Sequence, residues 1–290
     1  MSVSNDVKTQ HIRLKDGRTM GYAEYGDPDG KPAFYFHGFP GSRLDWAFSD
    51  PDNGAAKMNI RIIALDRPGM GLSDFQPDRK ILDWPDDVIE VANYLQFDKF
   101  AVIGISGGGP YTAACAFKIP GRLSKTIIIS GMGPSDAPQM KKGTSWTIPG
   151  KSFLSRKMLL MLFNMGLQKD PEKFVARSKA QFPEADRLIL DKPEATQVYI
   201  NMLREAFRSG TAGADHEARL YKSPWGFQLR DISGEVHLWH GELDLNVPVV
   251  VARYISDNIP NSHLNILKDE AHLSLPYNNI EDILKILVSF

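Results

Sequence analysis

Short runs of apolar, β-branched and aromatic residues recur along the chain, each closed by a turn residue and followed by a stretch of helical spacing. Pro32-Ala33-Phe34-Tyr35-Phe36, Arg61-Ile62-Ile63-Ala64-Leu65, Phe100-Ala101-Val102-Ile103, Lys125-Thr126-Ile127-Ile128-Ile129, Val236-His237-Leu238-Trp239 and Leu264-Asn265-Ile266-Leu267 read as buried strands. Helical spacing follows at Asp83 to Leu95, with Pro85 in the first turn, at Pro110 to Ala116, ended near Pro120, and at Val249 to Ile259. A last apolar-periodic helix closes the chain, and His11-Ile12-Arg13-Leu14 with Met20-Gly21-Tyr22-Ala23 reads as an opening hairpin around Lys15-Asp16-Gly17-Arg18. This alternation predicts an α/β fold, a doubly wound, mostly parallel sheet of eight strands.

The alternation lapses between the Ile129 strand and the Val236 strand. The intervening residues are rich in Met, Phe, Lys and Glu, with helix-like pieces at 151–166, 171–182 and 192–209. Residues 134–223 are therefore expected to form an inserted helical cap, with 1–133 and 224–290 making the core. A cap over the strand ends would exclude water and shape a pocket.

Chemistry enters at Gly104-Ile105-Ser106-Gly107-Gly108, which joins a strand to a helix. A sharp turn there strains the backbone at Ser106 and crowds the positions two before and two after it, where Gly104 and Gly108 lack a Cβ. A serine hydroxyl is a poor nucleophile until a histidine base, an orienting carboxylate and oxyanion donors surround it. Asp244 follows the Val236 strand, and His272 follows the Leu264 strand, so both are expected at the carboxyl edge where open α/β sheets bind ligands. His37-Gly38-Phe39-Pro40-Gly41-Ser42 follows the Phe34 strand, and the N–H groups of Phe39 and Gly107 would make a two-donor oxyanion hole. Blander readings stand beside these. Ser106 could be a plain turn residue, His272 a surface histidine with His240 and His263 nearby, and Asp244 a helix cap with Asp136 as substitute acid. His37, His240, Asp66 and Arg67 are expected to be structural.

These pieces together resemble the α/β-hydrolase-fold superfamily, in its group with an HG-x-P oxyanion loop. The resemblance rests on His37-Gly38-Phe39-Pro40, Asp66-Arg67-Pro68-Gly69-Met70-Gly71-Leu72-Ser73, the Ser106 elbow, Gly241-Glu242-Leu243-Asp244 with Pro248, and the His272 loop. It implies Ser106 as nucleophile, His272 as base, Asp244 as orienting acid, and Phe39 and Gly107 as oxyanion donors. Related epoxide hydrolases and haloalkane dehalogenases carry Asp where this chain has Ser106, and prolyl iminopeptidases usually carry Trp where it has Gly108. The histidine loop departs from the usual Gly-x-Gly-His, reading Asp269-Glu270-Ala271-His272.

Composition narrows the partners. A formal charge of −1 and a pI near 6.7 leave no basic field for nucleic acid or anionic membrane. No apolar run approaches the roughly 18 residues of a spanning helix, and the first twenty residues do not resemble a secretion signal. With one cysteine, Cys115, no internal disulfide forms, and a cytoplasmic location is expected. No metal-ligand spacing and no dinucleotide fingerprint is present, so no cofactor is expected. The expected function is a serine hydrolase cleaving a small carboxylic ester through an acyl-enzyme at Ser106, its expected partner being a small-molecule ester or lactone. A lactonase, a C–C bond hydrolase or an aminopeptidase with the same triad, and a non-catalytic ligand-sensing or signalling protein on the same fold are the alternatives. Tyr111, Met132, Trp146 and Met161 are the substrate-binding candidates, the last two from the cap.

Overall fold

The computed structural model describes residues 8–137, 140 and 153–288. The strands are β1 (Lys8–Arg13), β2 (Thr19–Gly26), β3 (Lys31–Phe36), β4 (Ile60–Leu65), β5 (Phe100–Ile105), β6 (Leu123–Ile129), β7 (Val236–Gly241) and β8 (Ser262–Leu267). They form one eight-stranded sheet in the order β1-β2-β4-β3-β5-β6-β7-β8. The β1–β2 and β2–β4 pairs are antiparallel, and every later pair is parallel, so β2 alone runs against the rest. Strand order reverses beside β3, and the loop after β3 therefore faces the turn after the adjacent β5.

Both faces of the central strands are buried, which is why they read as continuous apolar runs rather than as alternating ones. Phe34, Phe36, Ile63, Leu65 and Val102 pack on one face with the helices α3 (Trp84–Tyr94), α4 (Gly109–Lys118) and α10 (Val249–Asn258). Ala33, Tyr35, Ile62, Ala64 and Ile103 pack on the other with α1 (Trp46–Ser49), α2 (Gly54–Lys57) and α11 (Ser274–Val288). The period of two along each strand sends neighbours to opposite layers. In α11, Leu275, Ile280, Ile283, Leu284 and Leu287 share that inner face, each contributing about 1.5–3 kcal/mol when fully buried. Helix starts follow local chemistry: Pro85 sits in the first turn of α3 with Asp86 and Asp87, where acidic groups meet the positive end of the helix dipole.

Between β6 and β7 lie α5 (Phe153–Lys169), α6 (Pro171–Lys179), α7 (Glu184–Leu190), α8 (Pro193–Ala206) and α9 (Ala212–Leu220). Periodicity anticipated α5, α6 and α8; α7 and α9 are short and rich in charge, and it missed them. The helices share an apolar centre of Leu160, Leu167, Val175, Ile189, Ile200, Leu203 and Phe207, into which Phe48 and Met70 of the sheet side insert. Polar ties fasten this helical cap to the sheet. Arg43 pairs with Glu205 at 2.7 Å, Ser42 Oγ donates to the Met202 carbonyl at 3.1 Å, and Arg67 pairs with Glu217 at 3.1 Å. Gly69 and Gly213 let two backbones approach: a Cβ on Gly213 would lie 2.2 Å from the Gly69 carbonyl oxygen. No helix among the described residues is long and apolar enough to cross a membrane.

Candidate active site

Ser106 directly follows β5 with φ of +51°, a left-handed conformation that is costly for a non-glycine residue. The expected crowding is present. A Cβ on Gly104 would lie 2.0 Å from Thr112 Oγ1, and one on Gly108 would lie 2.1 Å from the Phe36 carbonyl oxygen. Packing of β5, β3 and α4 thus holds a turn that the serine's own preference opposes.

The loop after β3 lies against this turn. A Cβ on Gly38 would sit 3.6 Å from Ser106 Cβ, and one on Gly107 would sit 3.2 Å from the Phe39 nitrogen, so the two expected oxyanion donors are neighbours. His37 is wholly buried, donates from Nδ1 to the Gly38 carbonyl at 2.8 Å, and accepts at Nε2 from the Arg67 N–H at 3.2 Å. Burial and the adjacent Arg67 charge push its pKa well below the ordinary value, so it stays neutral as a brace.

The turn after β7 presents Asp244. Its Oδ1 accepts the N–H groups of Asn246 and Val247, both at 2.8 Å, and its Oδ2 accepts from His272 Nδ1 at 2.7 Å. Burial opposes the carboxylate charge, but the facing His272 and these hydrogen bonds win and hold its pKa below the usual range. At His272 burial favours the neutral ring, yet Asp244, followed by Asp186 and Asp45, raises the pKa above the ordinary histidine value. His240 donates from Nε2 to the Val247 carbonyl at 2.7 Å and so fastens the Asp244 turn, as a structural histidine would. Asp136, the substitute acid, is exposed and lines a different groove with Trp225 and Phe227.

Ser106 and His272 line one cleft with Gly38, Phe39, Pro40, Asp45, Phe48, Ile105, Tyr199, Met202, Asn246, Leu273 and Pro276. Its walls are mainly apolar and aromatic, with a few polar groups gathered at Ser106, the usual make-up of a small-molecule site. Neither Tyr111 nor Met132 borders it. Tyr111 is wholly buried beneath the oxyanion loop, where its hydroxyl donates to Glu217 at 2.6 Å. Met132 packs its side chain in the core, while its backbone N–H donates to the Ser106 carbonyl at 2.9 Å. Met161 is 55% exposed, because α5 turns Leu160 and Leu167 inward instead. Trp146 lies outside the described residues.

The cleft contains residues that sequence reasoning missed. Tyr199 and Met202, three apart on one face of α8, reach it from the cap, and Phe48 reaches it from α1. Asp45 is a buried acid whose Oδ2 accepts the Gly38 N–H at 2.8 Å, and burial raises its pKa. Asp186 of α7 is wholly buried, and its Oδ1 accepts the N–H groups of Leu273 and Ser274, at 2.8 and 2.9 Å, directly after His272. Nothing local distinguishes these acids from solvated ones. The expected loop anchors do form, although not with each other: Asp66 pairs with Arg43 at 2.8 Å and Arg67 with Glu217. Cys115 is buried, and burial pushes its thiol pKa well up, as suits an inert packing residue.

Comparison with known proteins agrees with this fold. The chain is 32% identical over 128 residues to a non-heme chloroperoxidase of Streptomyces lividans, a match spanning 42% of this chain and 45% of that protein. This match therefore covers less than half the length of either protein. A pimeloyl-(acyl-carrier protein) methyl ester esterase of Legionella pneumophila is 24% identical over 86% of this chain and 90% of its own. Among solved structures, an esterase from Exiguobacterium antarcticum superposes with a TM-score of 0.70 at 19% identity, covering 97% of this chain and 98% of that one. The family model described as the alpha/beta hydrolase fold matches residues 34–278. A sheet of this order, its inserted helical cap and that match place the chain in the alpha/beta hydrolase fold family.

Proposed function

We propose that the protein is a serine hydrolase cleaving a small carboxylic ester through an acyl-enzyme at Ser106. One observation carries the reading: the 2.7 Å bond from His272 Nδ1 to Asp244 leads into the same cleft as the left-handed Ser106. Ser106 Oγ attacks the ester carbonyl while His272 Nε2 takes its proton, and the N–H groups of Phe39 and Gly107 receive the developing oxyanion. His272 then returns the proton to the departing alkoxide. Water, deprotonated by His272, attacks the acyl group, and collapse of the second tetrahedral intermediate frees the acid and restores Ser106. Asp244 stays ionised and fixes the imidazole tautomer throughout. Phe48, Ile105, Tyr199, Met202 and Leu273 supply an apolar wall suited to a short acyl or alkyl group. The esterase named among the relatives supports the same class of bond.

The test is turnover of p-nitrophenyl esters from acetyl to decanoyl by the wild type and Ser106→Ala, with a fluorophosphonate to mark the acylated residue. Burst kinetics and labelling at Ser106, both lost in the variant, are the expected result. A folded wild type that neither turns over the panel nor takes the label at Ser106 overturns the proposal.

A further inference from the structure

The peptide units that carry the two proposed oxyanion donors are each held by their carbonyls, from outside the cleft. The Ser106–Gly107 unit bears the Gly107 N–H, and its carbonyl accepts from the Met132 N–H at 2.9 Å. The Gly38–Phe39 unit bears the Phe39 N–H, and its carbonyl accepts from His37 Nδ1 at 2.8 Å and from Arg67 Nη2 at 2.9 Å. Arg67 Nη1 takes the preceding carbonyl, that of His37. One planar guanidinium therefore grips two consecutive carbonyls of the oxyanion loop, a geometry that a lysine ammonium does not reproduce.

Arg67 is itself fixed from the cap. Its Nε lies 3.1 Å from Glu217 Oε2, and its guanidinium lies 4.9 Å from the centre of the Tyr111 ring. Glu217, on α9, also binds Arg79 and the hydroxyls of Tyr111 and Tyr221. The Tyr221 hydroxyl lies 3.0 Å from the Gly107 carbonyl oxygen and so touches the elbow as well. The two arginines and Glu217 are almost wholly shielded from water. Filling this space with apolar side chains would avoid a desolvation penalty of several kcal/mol per ion, so packing alone does not account for the charges. Their distinctive product is a rigid, charge-assisted grip on the backbone that carries the oxyanion donors.

We infer that Arg67 is a positioning residue for the oxyanion hole, and that Glu217 on the cap helix α9 and Tyr221 directly after that helix hold it and the elbow in register. The inference rests on the acyl-enzyme reading given above. The cap thereby completes the catalytic geometry from below the loop, besides walling the cleft from above. A cation on the Gly38 carbonyl also polarises the peptide, which makes the Phe39 N–H on its other end a stronger donor.

The experiment compares wild type, Arg67→Lys and Tyr221→Phe in p-nitrophenyl ester turnover and in the affinity of two inhibitors. An aryl trifluoromethyl ketone forms a tetrahedral oxyanion adduct with the serine, whereas the matching methyl ketone reports ground-state binding. Both variants are expected to lose kcat and trifluoromethyl ketone affinity in parallel, by roughly ten- to a hundred-fold. KM and methyl ketone affinity should stay within about two-fold. If Arg67→Lys does not fold, Tyr221→Phe, which loses a single oxygen, decides. Unchanged kcat, or a loss of kcat that the trifluoromethyl ketone does not follow, overturns the inference while leaving the acyl-enzyme reading intact. Failure of the wild type to be labelled at Ser106 overturns the reading itself.

Discussion

Burial and pairing pull in opposite directions at His272, and pairing wins. The neighbouring Asp244, with Asp186 and Asp45 beyond it, lifts the imidazole pKa above its ordinary value. General-base catalysis needs the neutral imidazole, so kcat/KM is expected to rise with pH through a midpoint above about 6.5. Asp244→Asn should lower that midpoint and reduce kcat roughly 10³–10⁴-fold. Stopped-flow turnover from pH 5 to 9 checks both, and a wild-type limb at or below pH 6.5 contradicts the assignment. At this scale the places of Ser106, Phe39, Gly107, Asp244 and His272 after their strands are legible, because each strand end is marked by glycine, proline or a change of period. Asp45, Asp186 and Glu217 were not, since what sets them apart is burial, and their sequence neighbourhoods resemble those of solvated acids.

The elements differ in how much of their orientation the sequence carries. Helix α8 has one apolar stripe, so Tyr199 and Met202 are directed inward, but which of its inward residues meet the cleft depends on how α8 crosses α1. Helix α5 is apolar on more than one side: Leu160 and Leu167 are buried, while Met158, Leu162 and Met165 are exposed with Met161. Periodicity favours no single face there, and Met161, expected near substrate, is exposed and does not border the cleft. For the cleft, Met202→Ala is expected to shift the preferred p-nitrophenyl ester toward longer acyl chains, by about 1–3 kcal/mol in relative kcat/KM per added methylene accommodated. An unchanged chain-length profile would remove Met202 from the acyl wall.

Across the whole molecule, Glu217 joins cap and core and links the stability of the fold to pH. Burial works against its charge, but Arg67 and Arg79 overcome this and hold its pKa far below the usual carboxylate range. A depressed folded-state value means that its contribution is fully present above the unfolded pKa of about 4.3 and is lost as pH falls toward the folded value. Glu217→Gln, which leaves two arginines without their counter-charge, should destabilise by about 3–5 kcal/mol at pH 7. The gap between wild type and variant in urea unfolding should narrow below pH 4.3, and a gap independent of pH would contradict the linkage.

The order of the strands along the chain, the two-sided burial of the central strands and the positions of the Ser106, Asp244 and His272 loops were determined by the sequence itself. Those features are written in local periodicity and turn chemistry, which act over a few residues. The cap residues that wall the cleft, the exposed face of α5 and the grip of Arg67, held by Glu217, on the His37 and Gly38 carbonyls were decided only in the tertiary structure. They join residues as far apart as Arg67 and Glu217, or Asp186 and Leu273, and such meetings depend on how whole elements pack, which no local pattern encodes.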